Sequence, residues 1–475
     1  MLTRRVARWM DTRVGGAKFA QKALNKVFPD HWSFMIGELA LWSFVVLLVT
    51  GVYLTFFFDP SLEEIVYQGS HTPLVGQEMS AAYASTLDLS FDVRAGLLMR
   101  QMHHWSALLF IAATVVHLAR TFFTGAFRRP REPNWIVGVL LLILAIFNGF
   151  AGYSLVDDQL SGTGLRIAYS IALSIPLIGT WVASLLFGGE FPGDDIIERL
   201  YVIHILLVPA AIVAVLGVHL ALVVRAKHTQ FPGPGRREDN VVGERVFPTY
   251  AAKAIGLLFL TASVCAFLAG LFQINPIWLY GPFDPAEVSA ASQPDWYLGW
   301  LDGALRIFPA WEIRAFGFEI PNPFFPAVAF AGVTFALLIV WPFLEARATG
   351  DYEAHHLLDR PRQRPVRTAM GVATLTAYGV LFLGGAADLI AVSFGVSVNA
   401  VVWTFRVAFL GLPPLGAWFA YTLCKELSAR DGIPTRSEVA FHDIPRRLRD
   451  GTRGDANSGR TKRPTASADP APVGD

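Results

Sequence analysis

The sequence predicts an all-α membrane protein: eight transmembrane helices, four of them forming a bundle. Three observations carry this prediction. The 475 residues are 53% hydrophobic and only 16% charged, too apolar for an ordinary soluble chain. Eight separate stretches hold about 20 apolar residues each, the length that crosses a bilayer as a helix. Two of those stretches each contain a pair of histidines at helical spacing, His103 with His117 and His204 with His219.

The spans are expected at 34–58, 100–124, 135–155, 199–225, 249–273, 323–345, 368–391 and 399–425. The first is preceded by basic residues but lacks a small-residue cleavage pattern after it, so it reads as a retained span. A ninth apolar run, 165–187, contains Pro176 and Gly179. Charge excludes it as a span. With eight spans, the termini and every second loop carry 32 of the 39 Lys and Arg, while the opposite loops and span ends carry 7, against 19 Asp and Glu. The positive-inside rule then places both termini in the cytoplasm. A ninth span would swap every later loop, so 165–187 is expected as surface helices on the outer side, two of them joined near Pro176. The resulting organisation is a cytoplasmic segment 1–33, a histidine-bearing bundle 34–230, a second four-helix part 231–428 and a basic, disordered cytoplasmic tail 429–475.

The histidine spacings are 14 and 15 residues. At about 100° and 1.5 Å per residue, such steps return within roughly 40° and 60° of the starting face, about 21 Å further along. Two helices of this kind build two bis-histidine sites at different depths. Neutral imidazole is a good iron ligand, and a histidine in lipid is costly unless used. The expectation is two b-type haems, one held by His103 and His204, the other by His117 and His219. His104 is a rival to His103, but 13 residues from His117 it lies about 140° out of phase. Arg100 and Arg120 stand three residues outward of His103 and His117, where a guanidinium would hold a haem propionate. Gly37 and Gly51 in the first span, and Gly138 and Gly152 in the third, share the 14-residue period. They would let a flat macrocycle approach the backbone, although glycine also serves ordinary close packing in membranes. Neither Cys265 nor Cys424 sits in a CxxCH motif, so covalent haem attachment is excluded. A net charge of +1 gives no basis for nucleic-acid binding.

These residues carry a resemblance. RQMHHWSALLFIAATVVHLARTFFTGAFRRPREPNWIVGV, then GYSL, LYVIHILLVPAAIVAVLGVHL and the PDWY of Pro294, Asp295, Trp296 and Tyr297 closely resemble cytochrome b of the Rieske/cytochrome bc and plastid-type complexes, over roughly residues 25–425. The resemblance implies a respiratory quinol:cytochrome c oxidoreductase. Quinol is oxidised at an outer site, one electron passing to a Rieske iron–sulfur protein and the other crossing from the low-potential to the high-potential haem. Quinone is then reduced at an inner site. It also implies a cytochrome c subunit, a homodimer in membrane lipid and, in some bacteria, a supercomplex with a terminal oxidase.

Several positions depart from the family pattern. Asp295 stands where Glu is usual, as in bacterial menaquinol-oxidising branches, so menaquinone is the expected substrate. Val156-Asp157 follows GYSL in place of Pro-Trp. The first span has no cysteine for the plastid type's extra haem, and all eight spans lie in one chain.

The resemblance makes Asp295 a proton acceptor for quinol in an outer site that also includes Pro294, with Trp296 and Tyr297 walling the ring. Pro-Asp also commonly opens a helix, and both roles are compatible. For the inner site the candidates are His31, Arg225, His228 and Lys253. The aspartate common after that lysine is replaced by Ala254. Two rival functions remain open from sequence: a di-haem membrane anchor for a dehydrogenase, and a degenerate paralogue serving as scaffold.

Overall fold

The computed structural model describes residues 2–287 and 292–431. Most of the expected disordered tail lies outside these residues. Eight helices are long and apolar enough to cross a membrane: α1 (Trp32–Leu54), α2 (Gly96–Phe123), α3 (Glu132–Val156), α4 (Ile196–Ala226), α5 (Val246–Leu271), α6 (Phe324–Thr349), α7 (Pro365–Gly385) and α8 (Val398–Arg430). Their outward residues are largely apolar, such as Val49, Val116, Phe259 and Trp418, as lipid contact requires.

The apolar run rejected as a span forms two shorter helices, Gln159–Leu173 and Gly179–Phe187. Pro176 cannot continue the first, and Leu177 takes a positive φ of 67°, which turns the chain. Asp158 starts the first helix by accepting from the Ser161 amide at 2.8 Å, while Ser161 returns a hydroxyl to the Asp158 amide, a reciprocal cap.

Helix α1 packs along α2, and α3 along α4. In the second half α7 and α8 run closely together. The two halves meet where Trp135 donates to the Leu338 carbonyl of α6. They also meet around Asp359, which pairs with Arg128 at 3.2 Å, Arg364 at 3.1 Å and Arg367 at 3.0 Å. Three guanidiniums on one carboxylate satisfy a charge that burial would otherwise make costly. This network lies at the terminal face, where α1 begins and α2 ends.

One irregularity bears directly on the site. Residues Ile203–Leu207 form a π turn within α4. Pro209 has no amide to bond the Ile205 carbonyl, and the Val208 amide reaches back to Ile203 instead. A π turn takes up roughly one residue more than an α turn. The 15-residue step from His204 to His219 therefore acts as a 14-residue step, matching the one on α2.

Candidate functional site

The four histidines meet in two tiers. The rings of His103 and His204 are 6.1 Å apart between centroids, at 76°. Those of His117 and His219 are 6.4 Å apart, at 72°. A ligating imidazole nitrogen sits about 2.0 Å from its metal and about 1.1 Å from its ring centroid, so two imidazoles on one metal have centroids roughly 6.2 Å apart. Both tiers have that separation. Thr50 Oγ1 lies 2.9 Å from His103 Nδ1, and the Asn148 carbonyl accepts from His204 Nδ1 at 2.9 Å. Such contacts fix the ring and leave Nε2 for the metal.

The surroundings fit two haems. A Cβ on Gly37 would lie 3.0 Å from His117 Cε1, on Gly51 3.2 Å from His103 Cε1, on Gly138 3.6 Å from His219 Cε1, and on Gly152 2.8 Å from His204 Nδ1. All four glycines thus keep side chains off the ligand rings. Arg100 is 8% exposed and its Nη atoms share the Asn275 carbonyl at 3.3 Å, but its Nε has no partner. Arg120 has neither an Nε nor an Nη2 partner and lies over the Phe34 ring at 4.3 Å. An unmet buried donor costs about 1–3 kcal/mol, more when charged. Two such guanidiniums beside the two tiers are matched to carboxylates, which haem propionates supply.

Two cavities, of about 440 and 270 Å³, enclose the tiers. They share the walls Phe44, Phe110 and Ile212, with the two phenylalanine rings 5.4 Å apart. This apolar septum separates the tiers.

The larger cavity also reaches His104, Tyr153, Asp295 and Tyr297. His104 Nε2 lies 2.9 and 3.0 Å from the two Asp295 oxygens, and Tyr297 donates to Oδ2 at 3.2 Å. The Asp295 carboxylate does not cap its own helical turn; it faces the cavity partners instead. Burial beside Asp295 holds the Tyr297 phenol well above its ordinary pKa, so it stays a donor. Gly149 admits that phenol, since a Cβ there would lie 2.6 Å from its oxygen. Trp296 is 36% exposed, and neither it nor Pro294 lines the cavity.

At the terminal face the smaller cavity is walled by Phe28, Phe34, Glu38, His228 and Tyr250. Phe28 stacks on Tyr250 at 4.7 Å and Phe34 meets His228 edge-on at 4.7 Å. The other three inner-site candidates lie elsewhere. His31 caps the start of α1 through the Ser33 amide at 3.2 Å. Lys253 pairs with Asp30 at 3.0 Å and Glu244 at 2.9 Å. Arg225 is exposed.

Residues 108–282 match the family described as Cytochrome b(N-terminal)/b6/petB. A protein of Mycobacterium leprae (strain TN), "Cytochrome bc1 complex cytochrome b subunit", is 55% identical over 428 residues, spanning 90% of this chain and 78% of that one. The chain belongs to the cytochrome b family. A protein of Streptomyces coelicolor with the same description is 51% identical over 427 residues, 90% of this chain and 78% of that one. A solved chain of "Hyperthermophilic respiratory Complex III" shares the fold, with a TM-score of 0.63 over 87% of this chain and 99% of that chain at 22% identity.

Two polar residues of this cytochrome b escaped the sequence reading as site residues. Helical spacing presents His104 only as a rival haem ligand; the phase that turns it from His117 aims it at Asp295. Glu38 follows Gly37 directly, and an acid so early in an apolar span is the signal that marks it. The Val156-Asp157 departure also acquires a structural setting. The Asp157 carbonyl accepts from the Phe283 amide, stitching the end of α3 to the loop that leads towards Asp295. Burial pushes the Asp157 carboxyl up to about 7, against the pull of the Ser80 hydroxyl. An unfolded aspartate titrates near 3.9. Between about pH 4 and 7 the folded chain therefore keeps a proton that the unfolded chain has lost, and stability falls as pH rises through that window. Asp157→Asn is expected to flatten this slope, measured as the temperature of Soret-band loss between pH 4.5 and 8. An unchanged slope would remove Asp157 as its source.

Proposed function

We propose that this chain is the cytochrome b subunit of a bacterial respiratory quinol:cytochrome c oxidoreductase. It oxidises quinol at an outer site beside Asp295 and delivers one electron across the membrane to quinone at an inner site. The observation that carries this is the pair of bis-histidine tiers with a carboxylate–imidazole–phenol cluster opening onto one of them.

His103 and His204 would hold one haem b and His117 and His219 the other, with Arg100 and Arg120 taking propionates. Each haem, when bound, takes up and gives back one electron. His104 and Tyr297 orient Asp295, whose carboxylate accepts a quinol proton. Aspartate in this slot favours menaquinol. The excess of Lys and Arg at the terminal face supports placing that face, and both termini, in the cytoplasm of a bacterial plasma membrane. The reading requires a Rieske iron–sulfur protein and a cytochrome c subunit, and extends to a homodimer and to association with a terminal oxidase. The Asp295 cluster disfavours a simple di-haem anchor, which has no use for an outer proton acceptor.

The test is a redox titration of the purified complex followed by turnover with menaquinol and cytochrome c. Two b-type midpoints and cytochrome c reduction are expected. A single midpoint, or two midpoints without cytochrome c reduction, overturns the proposal.

A further inference from the structure

The inner cavity lacks the aspartate that the family resemblance leads one to expect after Lys253, because Ala254 stands there. Resting on the reading of this cavity as the inner quinone site, we infer that Glu38, backed by the Tyr250 hydroxyl, is the acid that protonates quinone there.

His228 is the obvious alternative, and its geometry disqualifies it. Its Nδ1 lies 3.1 Å from the Thr229 carbonyl. A carbonyl can only accept, so Nδ1 carries the proton and Nε2 presents a lone pair. Burial also lowers the pKa of His228 to about 4, keeping it neutral. His228 can accept a hydrogen bond from quinol but has no proton to give at Nε2. Lys253 is held by two carboxylates and does not line the cavity.

Glu38 meets the requirement. It lines the cavity one residue from Gly37. Its Oε1 accepts from the Tyr250 hydroxyl across 212 residues of sequence. Its Oε2 is buried without a partner, a costly state unless it carries a proton for something absent. The charged or titratable groups sharing the cavity wall with Glu38 are His117, Arg120, Arg131, His219, Lys227, His228 and Tyr250.

The step balances as follows. Reduction of quinone needs two electrons, which a haem held by His117 and His219 would supply one at a time, and two protons. The Glu38 O–H bond breaks as an O–H bond forms on one quinone oxygen. The carboxylate recovers a proton from the Tyr250 hydroxyl, which recovers one from cytoplasmic water. The second quinone oxygen takes its proton from water at the cavity mouth.

The test uses the complex reduced with dithionite and mixed with menadione, following oxidation of the inner b haem between pH 6 and 9. Glu38→Gln is expected to slow that oxidation roughly a hundredfold and abolish its pH dependence, with both haem spectra unchanged. Glu38→Asp should restore much of the rate, and Tyr250→Phe should slow it less than Glu38→Gln does. A Glu38→Gln variant oxidised at the normal rate overturns the assignment. So does an aspartate variant as slow as the glutamine one, which would mark a structural role. If the unmutated complex shows no inner-haem oxidation by menadione, the cavity is not a quinone site and the assignment falls with that reading.

Discussion

Replacing His117 with leucine is expected to remove one haem and leave the other. His117 and His219 form one tier, and the shared wall of Phe44, Phe110 and Ile212 isolates it from His103 and His204. Leucine fills the volume without offering a ligand, so haem content should fall from two per chain to one. The surviving midpoint should be the lower of the two. Electron delivery to the inner cavity should stop altogether, since nothing in the septum can carry charge in its place. His104→Leu is the control: it neighbours a ligand, yet its ring is turned to Asp295, and both haems should remain. Haem extraction with redox titration checks both variants. Two haems in His117→Leu would break the two-tier assignment.

The second large effect is expected at Asp295. Asparagine keeps the shape and one acceptor oxygen between Tyr297 and His104 but cannot take a proton at neutral pH. Removing a positioned general base typically costs 10²–10⁴-fold, so quinol oxidation should fall by about two orders of magnitude while both haem spectra persist. Glutamate, one methylene longer, should retain a substantial fraction of turnover, because the cavity is open beyond the carboxylate. Steady-state menaquinol oxidation with cytochrome c as acceptor measures this. Full turnover in Asp295→Asn would remove the carboxylate from the chemistry and leave it a structural clasp between α2 and the loop after α5.

The residues that were legible in sequence were those whose roles are local. Hydropathy runs of span length marked all eight helices, because lipid permits few alternatives. Histidines on one helical face were recognisable because phase is fixed within a single helix. The relation between His104 and Asp295 was not, since it joins positions 191 residues apart and depends on how a loop folds back over α2. Glu38 and Tyr250 are separated by 212 residues and escaped for the same reason. The π turn at Ile203–Leu207 hides from hydropathy altogether; Pro209 is its one local sign. For the inner site, charge and family position pointed to surface groups such as Arg225 and Lys253. Burial, which sequence does not report, brought Glu38 to the cavity instead.

On the proposed function, the stacking of the histidine tiers along the spanning helices, instead of side by side, makes this protein an electrical device as well as a chemical one. An elementary charge crossing the whole membrane field does work of about 2.3 kcal/mol per 100 mV, and the helical rise between tiers, about 21 Å, spans a large part of that field. In the proposed orientation each electron moves against the voltage that turnover itself builds. The voltage is therefore a brake: throughput should slow as the membrane charges and recover when an ionophore discharges it, with no regulatory ligand required.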